Sequence, residues 1–409
     1  MGRSATEDTA AELRAACGEV TEAGTDDVVD GVPARWVARP ADTDEVSAVL
    51  RAAAALGLRV VVRGTGTRLG WGTPPRELDL ILDTSRMNAL LAHQAGDLVV
   101  TAQAGLGLTE LQAALAPHGQ RLALDGWDGT VGGTIATAAA GPLRYRYGSV
   151  RDLIIGITVV LADGTIAKAG GTVVKNVAGY DLAKLYTGSL GTLGVITEAV
   201  FRLHPLPETG RWISVTAEHS KPAASAVAAV RQSQHDAVAL EVDRPAPGGP
   251  VTVAVALEGV VEGIAARADG VARLLGEAVR GPAAITDSPP QWWGRPPHPP
   301  QGPGVLLTGE PTGLRSLLAA APGALRGSAG AGVFTVGLPD DDQLGANLTE
   351  LRRLAARHGG TAVLRCAAPR RKEDLDVWGP VPALTLMRRL KDQFDPEHRL
   401  GPGRFVGGI

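Results

Sequence analysis

Residues 129–205 contain the feature that most restricts how this chain can fold, because glycines recur there at short intervals among small and polar residues. They include Gly132, Gly133, Gly141, Gly148, Gly188, Gly191 and Gly194. Glycine has no Cβ and reaches positive φ without steric cost, so this spacing is typical of a backbone that passes close to a bulky ligand. One glycine-rich loop would be weak support. Several ordered blocks in one region are a much stronger indication.

Length and composition limit the class of protein. A chain of 409 residues exceeds what one hydrophobic core usually serves, so two domains are expected. The net charge of −3 argues against a nucleic-acid-binding protein, which would carry a basic patch. Only Cys17 and Cys366 occur, far apart and without a CxxC motif, so neither an iron–sulfur cluster nor another metal site is expected within the chain.

The sequence also bears on location. Residues 1–20 are polar and acidic and lack the apolar segment of a secretory signal. No apolar run reaches the length that a membrane span requires, so no transmembrane segment is expected. These features predict a cytoplasmic protein and leave open a peripheral position at the inner face of the membrane through a partner.

Residues 1–207 show alternating helix and strand signals. Asp42 and Glu45 fit a capping box, and apolar residues recur at helical spacing from there to Gly57. A glycine turn, 63–70, follows a predicted strand at 58–62. Further strands are predicted at 78–82, 98–102 and 194–203, a hairpin at 154–168 and a helix at 108–115.

After residue 208 strands and helices continue without glycine motifs, which predicts an α+β domain. Strands are expected at 212–217, 238–242, 251–257, 305–308, 332–336 and 361–364, and helices at 223–232, 265–275, 314–320 and 344–357. The Pro-rich stretch 288–304, with Trp292 and Trp293, is expected to be an irregular loop outside the cofactor site. A surface crossover is the favoured interpretation, and a docking patch is the alternative. A final helix is expected at 384–394.

The blocks RGTGTRLG at 63–70, TVGGTIAT at 130–137 and GSLGTLGVIT at 188–197 resemble the FAD domain of the vanillyl-alcohol oxidase / p-cresol methylhydroxylase family. The segment KNVAGYDL at 175–182 is similar to the glycolate oxidase branch of that family. The resemblance implies an α+β fold with a two-lobed FAD-binding domain at 1–207, an α+β cap domain at 208–380 and a C-terminal return to the FAD domain at 381–409. The C-terminal motif FDP…GPGR resembles the motif at the C-terminus of family members, with Gly401 in place of the usual Asn.

The same resemblance predicts the cofactor-binding residues. They are Arg63, Gly64, Thr65, Gly66, Thr67, Arg68, Leu69, Thr130, Gly132, Gly133, Thr134, Ala136, Thr137, Gly141, Val195 and Ile196. Successive backbone N–H groups at 64–67 would form an anion-binding nest for the FAD pyrophosphate. The alternatives are a plain turn for the first block and a small-residue helix packed on a sheet for the second.

Two absences refine the prediction. Relatives with covalent FAD have His at the position of Thr67, so non-covalent FAD is expected here. Catalytic subunits of D-2-hydroxyacid dehydrogenases carry a His-rich HxGDGNxH segment in the cap, which this sequence lacks, and its eight histidines show no metal-type spacing. Catalytic residues are therefore not identified.

Because the cap lacks the His-rich segment that would supply a catalytic base, the chain resembles the FAD-binding (E) subunits of glycolate oxidase. The resemblance implies partners, namely a catalytic flavoprotein subunit and an iron–sulfur subunit, in a complex that oxidises a small 2-hydroxy acid to the 2-oxo acid. A self-sufficient FAD-dependent D-2-hydroxyacid dehydrogenase and a scaffold subunit that has lost flavin are the alternatives.

Overall fold

The computed structural model describes residues 5–125, 128–172 and 181–409. Within them the helices are α1 Ala5–Ala16, α2 Thr43–Ala55, α3 Leu108–Leu115, α4 Val131–Thr137, α5 Arg144–Tyr147, α6 Val150–Leu153, α7 Ala183–Tyr186, α8 Ser220–Gln232, α9 Val261–Val279, α10 Leu314–Ala320, α11 Leu344–Ala356, α12 Pro369–Glu373 and α13 Leu384–Phe394. The strands are β1 Val20–Glu22, β2 Val28–Val29, β3 Val32–Pro33, β4 Trp36–Ala38, β5 Val60–Arg63, β6 Leu80–Asp83, β7 Leu90–Gln94, β8 Val99–Gln103, β9 Gln120–Arg121, β10 Ile154–Val160, β11 Ile166–Gly170, β12 Val195–Arg202, β13 His204–Pro205, β14 Thr209–Ala217, β15 Ala239–Arg244, β16 Val251–Gly259, β17 Ala284–Thr286, β18 Gly304–Thr308, β19 Ala324–Ser328, β20 Val333–Gly337 and β21 Ala362–Cys366.

The described residues divide into two compact units. The first consists of the described residues within 1–139, 149–205 and 380–409, and the second of those within 140–148 and 206–379. The limits expected from the sequence, 1–207, 208–380 and 381–409, stay a prediction about folding domains. They differ from the two units in assigning 140–148 and 206–207 to the FAD-binding domain and residue 380 to the cap domain. Within the second unit, the Tyr147 hydroxyl donates to Oε2 of Glu258 at 3.1 Å, which ties this short segment to β16.

The first unit contains two main sheets. One has the strand order β1-β4-β6-β5, with β4, β6 and β5 parallel, and the other is an antiparallel sheet with the order β11-β10-β12-β8-β7. Apolar residues of α1 and α2 pack with Val160 and Val195 in one shared core. The α2 helix begins where the sequence predicts, because the Asp42 carboxylate accepts a hydrogen bond from the N–H of Glu45 at 2.8 Å.

The second unit is built on one eight-stranded sheet, with the order β17-β14-β16-β15-β19-β20-β18-β21 and antiparallel pairing throughout. Alternate residues of its strands pack with α8, α9, α10 and α11 in a single hydrophobic core. The strands and helices that the sequence predicts after residue 208 are thus confirmed. The predicted α+β fold class is also confirmed for the described chain.

The Pro-rich segment lies between β17 and β18 and is irregular, as its composition predicts. Its tryptophans are less exposed than the prolines around them suggest. Trp293 packs against Val238, Ala239 and Ala256, and the guanidinium of Arg326 lies 5.6 Å from the ring centroid of Trp292. The loop is therefore packed on the sheet of the second unit.

No helix among the described residues is long and apolar enough to cross a membrane.

Candidate functional site

The glycine turn after β5 borders a cleft that lies within the first unit. The free space of this cleft is about 760 Å³, part of it open to solvent. Its lining is Val61, Val62, Gly64, Thr65, Gly66, Thr67, Arg68, Leu69, Thr84, Ala104, Thr130, Gly132, Gly133, Ala136, Thr137, Leu190, Gly191, Gly194, Ile196 and Arg404.

The glycines of the turn are required by its own packing. A Cβ on Gly64 would lie 2.5 Å from the Oγ1 atom of Thr130, and Gly66 has φ of +79°, which L side chains rarely adopt. From the sequence, a ligand alone accounts for the missing Cβ atoms. In the structure, close contact between the 64–67 turn and Thr130 is a second cause.

Arg63, the last residue of β5, is held beneath the turn by two carboxylates. Its guanidinium lies 2.7 Å from Oδ1 of Asp27 and 2.8 Å from Oδ2 of Asp83. Burial alone would lower the pKa of Arg63, but the hydrogen bonds to Asp27 and Asp83 outweigh it and raise the pKa. Arg63 is therefore committed to this ionic cluster, and its side chain supports the turn without lining the cleft.

The second glycine block forms α4, which lines the same cleft. Oγ1 of Thr130 accepts a hydrogen bond from the N–H of Gly133 at 3.1 Å and so caps the helix. Gly132 permits close packing, because a Cβ there would lie 2.8 Å from the Cβ of Ala104. Both predicted alternatives for the blocks thus describe part of what is seen: the first block is a turn, and the second is a small-residue helix packed on a sheet.

The third block joins the end of this helix. The N–H of Gly188 donates to the carbonyl of Ile135 at 2.9 Å, and the N–H of Leu190 donates to the carbonyl of Ala136 at 2.8 Å. Gly191 has φ of +74°. The chain then enters β12, where Ile196 lines the cleft. The three glycine blocks, the first and third of which lie more than a hundred residues apart, therefore meet around one cavity.

The C-terminal segment completes the wall. Nη2 of Arg404 donates to the carbonyls of Leu69 at 2.7 Å and Trp71 at 2.9 Å. Its Nη1 atom is buried without a hydrogen-bond partner among the described residues. Burial lowers the pKa of Arg404 to about 10, against the opposing attraction of Asp30. The guanidinium therefore stays charged at neutral pH.

Most of the sequence-predicted site residues meet at the cleft. Those that line it are Gly64, Thr65, Gly66, Thr67, Arg68, Leu69, Thr130, Gly132, Gly133, Ala136, Thr137 and Ile196. Those that do not are Arg63, Thr134, Gly141 and Val195. Thr134 and Val195 are buried in the first unit, and Gly141 belongs to the second. The branch segment 175–180 lies outside the described residues.

Sequence reasoning missed other lining residues, namely Val61, Val62, Thr84, Ala104, Leu190, Gly191, Gly194 and Arg404. Two kinds of signal were present for some of them. Gly191 and Gly194 belong to the glycine pattern itself, and Arg404 belongs to the C-terminal GPGR motif. Leu190 lies within the third block, and the remaining residues are ordinary apolar or small residues with no local signature.

The chemistry of this lining is that of a binding site. Backbone, apolar and hydroxyl groups dominate, together with Arg68 and Arg404. Arg68 is paired with Asp128 at 2.9 Å. The lining contains no Asp, Glu, His or Cys, and no group of acidic, His or Cys side chains in the described part of the chain could hold a metal ion. Glycine turns, a buried cation with an unused donor and a largely apolar wall fit a large anionic cofactor.

Comparisons with known proteins agree with this geometry. Residues 34–170 match the family model described as "FAD binding domain". The chain is 37% identical over 213 residues to the glycolate oxidase subunit GlcD of Bacillus subtilis. The matched region covers 51% of this chain and 45% of that protein. It is 40% identical over 173 residues to a D-lactate dehydrogenase of Archaeoglobus fulgidus, covering 41% and 38% of the two chains. These matches thus span less than half the length of either relative.

Among solved structures, p-cresol methylhydroxylase with substrate bound superposes with a TM-score of 0.72 at 16% identity, covering 97% of this chain and 96% of the other. An alkyldihydroxyacetonephosphate synthase gives 0.67 at 18% identity, covering 91% and 77%. At these identities the likeness establishes the fold. Residues 34–170 therefore belong to the family of FAD-binding domains, and the chain that contains them has the fold of p-cresol methylhydroxylase.

Proposed function

We propose that the cleft of the first unit is where this chain binds FAD, and that the cofactor is held without a covalent bond. The observation that carries the proposal is the convergence of three glycine blocks and Arg404 on one cavity. Thr67 lies in the lining at the position of the attachment histidine of covalent relatives, and a threonine hydroxyl does not form that bond. Bound FAD supplies an acceptor for two electrons, while the residues of the chain bind and orient it.

Non-covalent binding is tested by denaturing the purified holoprotein with acid or heat and separating the precipitate. All flavin absorbance is expected in the supernatant. Flavin that stays with the precipitated chain would contradict non-covalent binding. A chain that shows no flavin absorbance after incubation with FAD would contradict cofactor binding itself and favour a scaffold subunit.

We further infer that the chain is the FAD-binding subunit of a glycolate oxidase-type complex, which oxidises a small 2-hydroxy acid to the 2-oxo acid. Oxidation at the α-carbon needs a base for the hydroxyl proton beside the flavin that accepts the hydride. The lining of the cleft includes no Asp, Glu or His that could take this role, and the His-rich segment of catalytic subunits is missing from the sequence. The base would be supplied by a catalytic flavoprotein partner, and an iron–sulfur partner would carry electrons onward.

A self-sufficient D-2-hydroxyacid dehydrogenase is the second candidate. The observation in its favour is the similarity to enzymes described as D-lactate dehydrogenase and D-2-hydroxyglutarate dehydrogenase, at 40% and 38% identity. The relative from Bacillus subtilis carries the name GlcD, so the proposal that this chain is an E-type, FAD-binding partner rests on the missing His-rich segment.

Anaerobic reduction of the flavin distinguishes the two candidates. The holoprotein is mixed with millimolar-range glycolate or D-lactate, alone and together with the two partner subunits, and bleaching of the flavin is followed. We expect slow or no bleaching of the isolated chain and rapid bleaching in the complex. Rapid, stoichiometric bleaching of the isolated chain would overturn the subunit proposal and support the self-sufficient enzyme. The cytoplasmic location expected from the sequence stays a prediction that cell fractionation tests.

A further inference from the structure

Arg404 is a buried cation that uses only part of its hydrogen-bonding capacity. It is 3% exposed, and Nη2 is occupied by the carbonyls of Leu69 and Trp71. Nη1 has no partner among the described residues. An unsatisfied buried donor costs free energy, and the cost is larger for a charged group. A side chain kept in this state is expected to meet an acceptor that the protein itself does not supply.

The position of Arg404 indicates where that acceptor comes from. The side chain lines the same cleft as the 64–69 turn. Its carbonyl partners lie at the end of that turn and just after it, so the guanidinium is fixed against the wall on which the cofactor is expected to lie. The backbone of the same segment is also fixed, because the N–H of Thr73 donates to the carbonyl of Arg404 at 3.1 Å. Arg404 is thus a pre-oriented donor at the edge of the cavity.

We propose that Arg404 is a direct cofactor contact, whose Nη1 donates a charged hydrogen bond to an oxygen of bound FAD. This proposal rests on the proposed function, since it places FAD in the cleft. Guanidinium groups bind phosphate oxygens well and also donate to carbonyl oxygens. The acceptor is therefore an electron-rich oxygen, from either the diphosphate or the flavin ring.

The C-terminal segment would then act in cofactor binding as well as in closing the fold. Arg404 lies more than two hundred residues after the last glycine block, yet it reaches the same cavity. Its backbone position depends on the pairing of the C-terminal segment with β5, where the N–H of Gly401 donates to the carbonyl of Val60 at 2.8 Å. Truncation before residue 400 would remove both the contact and the pairing.

The test compares the dissociation constants of FAD and ADP for the full chain, measured by calorimetry after removal of bound flavin. Arg404→Met keeps the aliphatic bulk of the side chain and removes the donors. Arg399→Met is the matched control, because Arg399 is also buried in the C-terminal segment, donates to the carbonyl of Ala162 at 2.9 Å and does not line the cleft. Arg404→Lys keeps the charge but cannot bridge both carbonyls and the ligand, so it serves if the Met variant fails to fold.

We expect Arg404→Met to weaken FAD binding about tenfold or more, Arg404→Lys to weaken it by a smaller factor, and Arg399→Met to leave it nearly unchanged. A parallel loss of ADP affinity would assign the contact to the diphosphate. Unchanged ADP affinity, with a shifted flavin absorption band, would assign it to the flavin ring. Wild-type FAD affinity in a folded Arg404 variant would overturn this proposal alone. A wild-type chain that binds no FAD would overturn the proposed function, and this proposal with it.

Discussion

The ammonium nitrogen of Lys391 lies 2.6 Å from Oδ2 of Asp395, and both side chains are wholly buried. Lys391 also donates to the carbonyls of Thr192 at 2.8 Å and Leu400 at 2.9 Å. Asp395 accepts the N–H of Leu400 at 2.7 Å. The pair therefore joins α13, the glycine block before β12 and the segment that leads to Arg404. Burial lowers the pKa of Lys391, and Asp395 opposes that shift.

Removing one member of this pair is expected to destabilise the first unit strongly. In Lys391→Met the Asp395 carboxylate stays buried without its counter-ion, and breaking such a pair costs about 3–5 kcal/mol. Urea denaturation of the full chain measures the change in unfolding free energy. Asp392→Asn is the control, because Asp392 lies on the same helix and pairs with His398 at 2.8 Å on the surface, where loss costs at most about 1 kcal/mol. Equal effects of the two substitutions would contradict this account.

Tyr186 gives the fold a dependence on alkaline pH. It is buried in the core of the first unit, with its ring 6.1 Å from that of Phe394. Burial raises the pKa of Tyr186 to about 12, from 10 in the unfolded chain. The unfolded chain loses this proton first, so the stabilisation is present below pH 10 and is lost as pH rises towards 12. With two pKa units at about 1.4 kcal/mol each, the loss is on the order of 2–3 kcal/mol.

Comparison of wild type with Tyr186→Phe isolates this contribution from other groups that titrate above pH 10. Unfolding free energies are measured in urea at pH 9 and pH 11. The variant is expected to lose less stability than wild type between the two values. Parallel losses in both proteins would show that the Tyr186 phenol ionises equally in the folded and unfolded chains.

Only some elements could be predicted from the sequence to the residue, and α9, expected at 265–275, extends over Val261–Val279. Helices 108–115, 314–320 and 384–394 occur at the predicted bounds, since their apolar spacing and stop signals lie within the elements themselves. Strand β19 was missed. It contains Gly327, with φ of +148°, and such a residue interrupts the alternation by which strands are recognised.

Site residues could be predicted from the sequence where a motif marked them. The prediction failed where the direction of a side chain decides whether a residue lines the cleft. Val195 and Ile196 were both assigned to the cofactor, but neighbouring residues of a strand point to opposite faces. Ile196 lines the cleft, while Val195 packs in the core with α2. Arg404 contacts Leu69 across 335 positions of sequence. The GPGR motif predicts the return of this segment to the FAD domain, but no local pattern predicts this particular contact.

Gly64→Ala tests whether the packing of the 64–67 turn controls cofactor binding. The new Cβ would lie 2.5 Å from Oγ1 of Thr130, so the turn or the cap of α4 must shift. We expect FAD affinity to fall about tenfold or more with the chain still folded, because displaced backbone donors lose their alignment with the bound anion. Gly96→Ala is the control, since nothing lies within 4 Å of its added Cβ. Unchanged affinity in Gly64→Ala would show that the turn does not contact FAD.

Trp293→Ala tests whether the Pro-rich loop is structural or part of the cofactor site. Trp293 packs on Val238, Ala239 and Ala256 of the second unit, while the cleft that we assign to FAD is lined by residues of the first. Truncating this half-buried indole is expected to cost about 1–3 kcal/mol of unfolding free energy, because apolar contacts are lost and the sheet surface beneath is exposed.

Flavin content per chain is expected to stay at the wild-type value. Thermal denaturation and the ratio of flavin to protein absorbance measure the two effects on one sample. Loss of flavin at a temperature where the variant remains folded would place the loop in the cofactor site, and an unchanged melting temperature would show that the indole contributes nothing to the packing of the sheet.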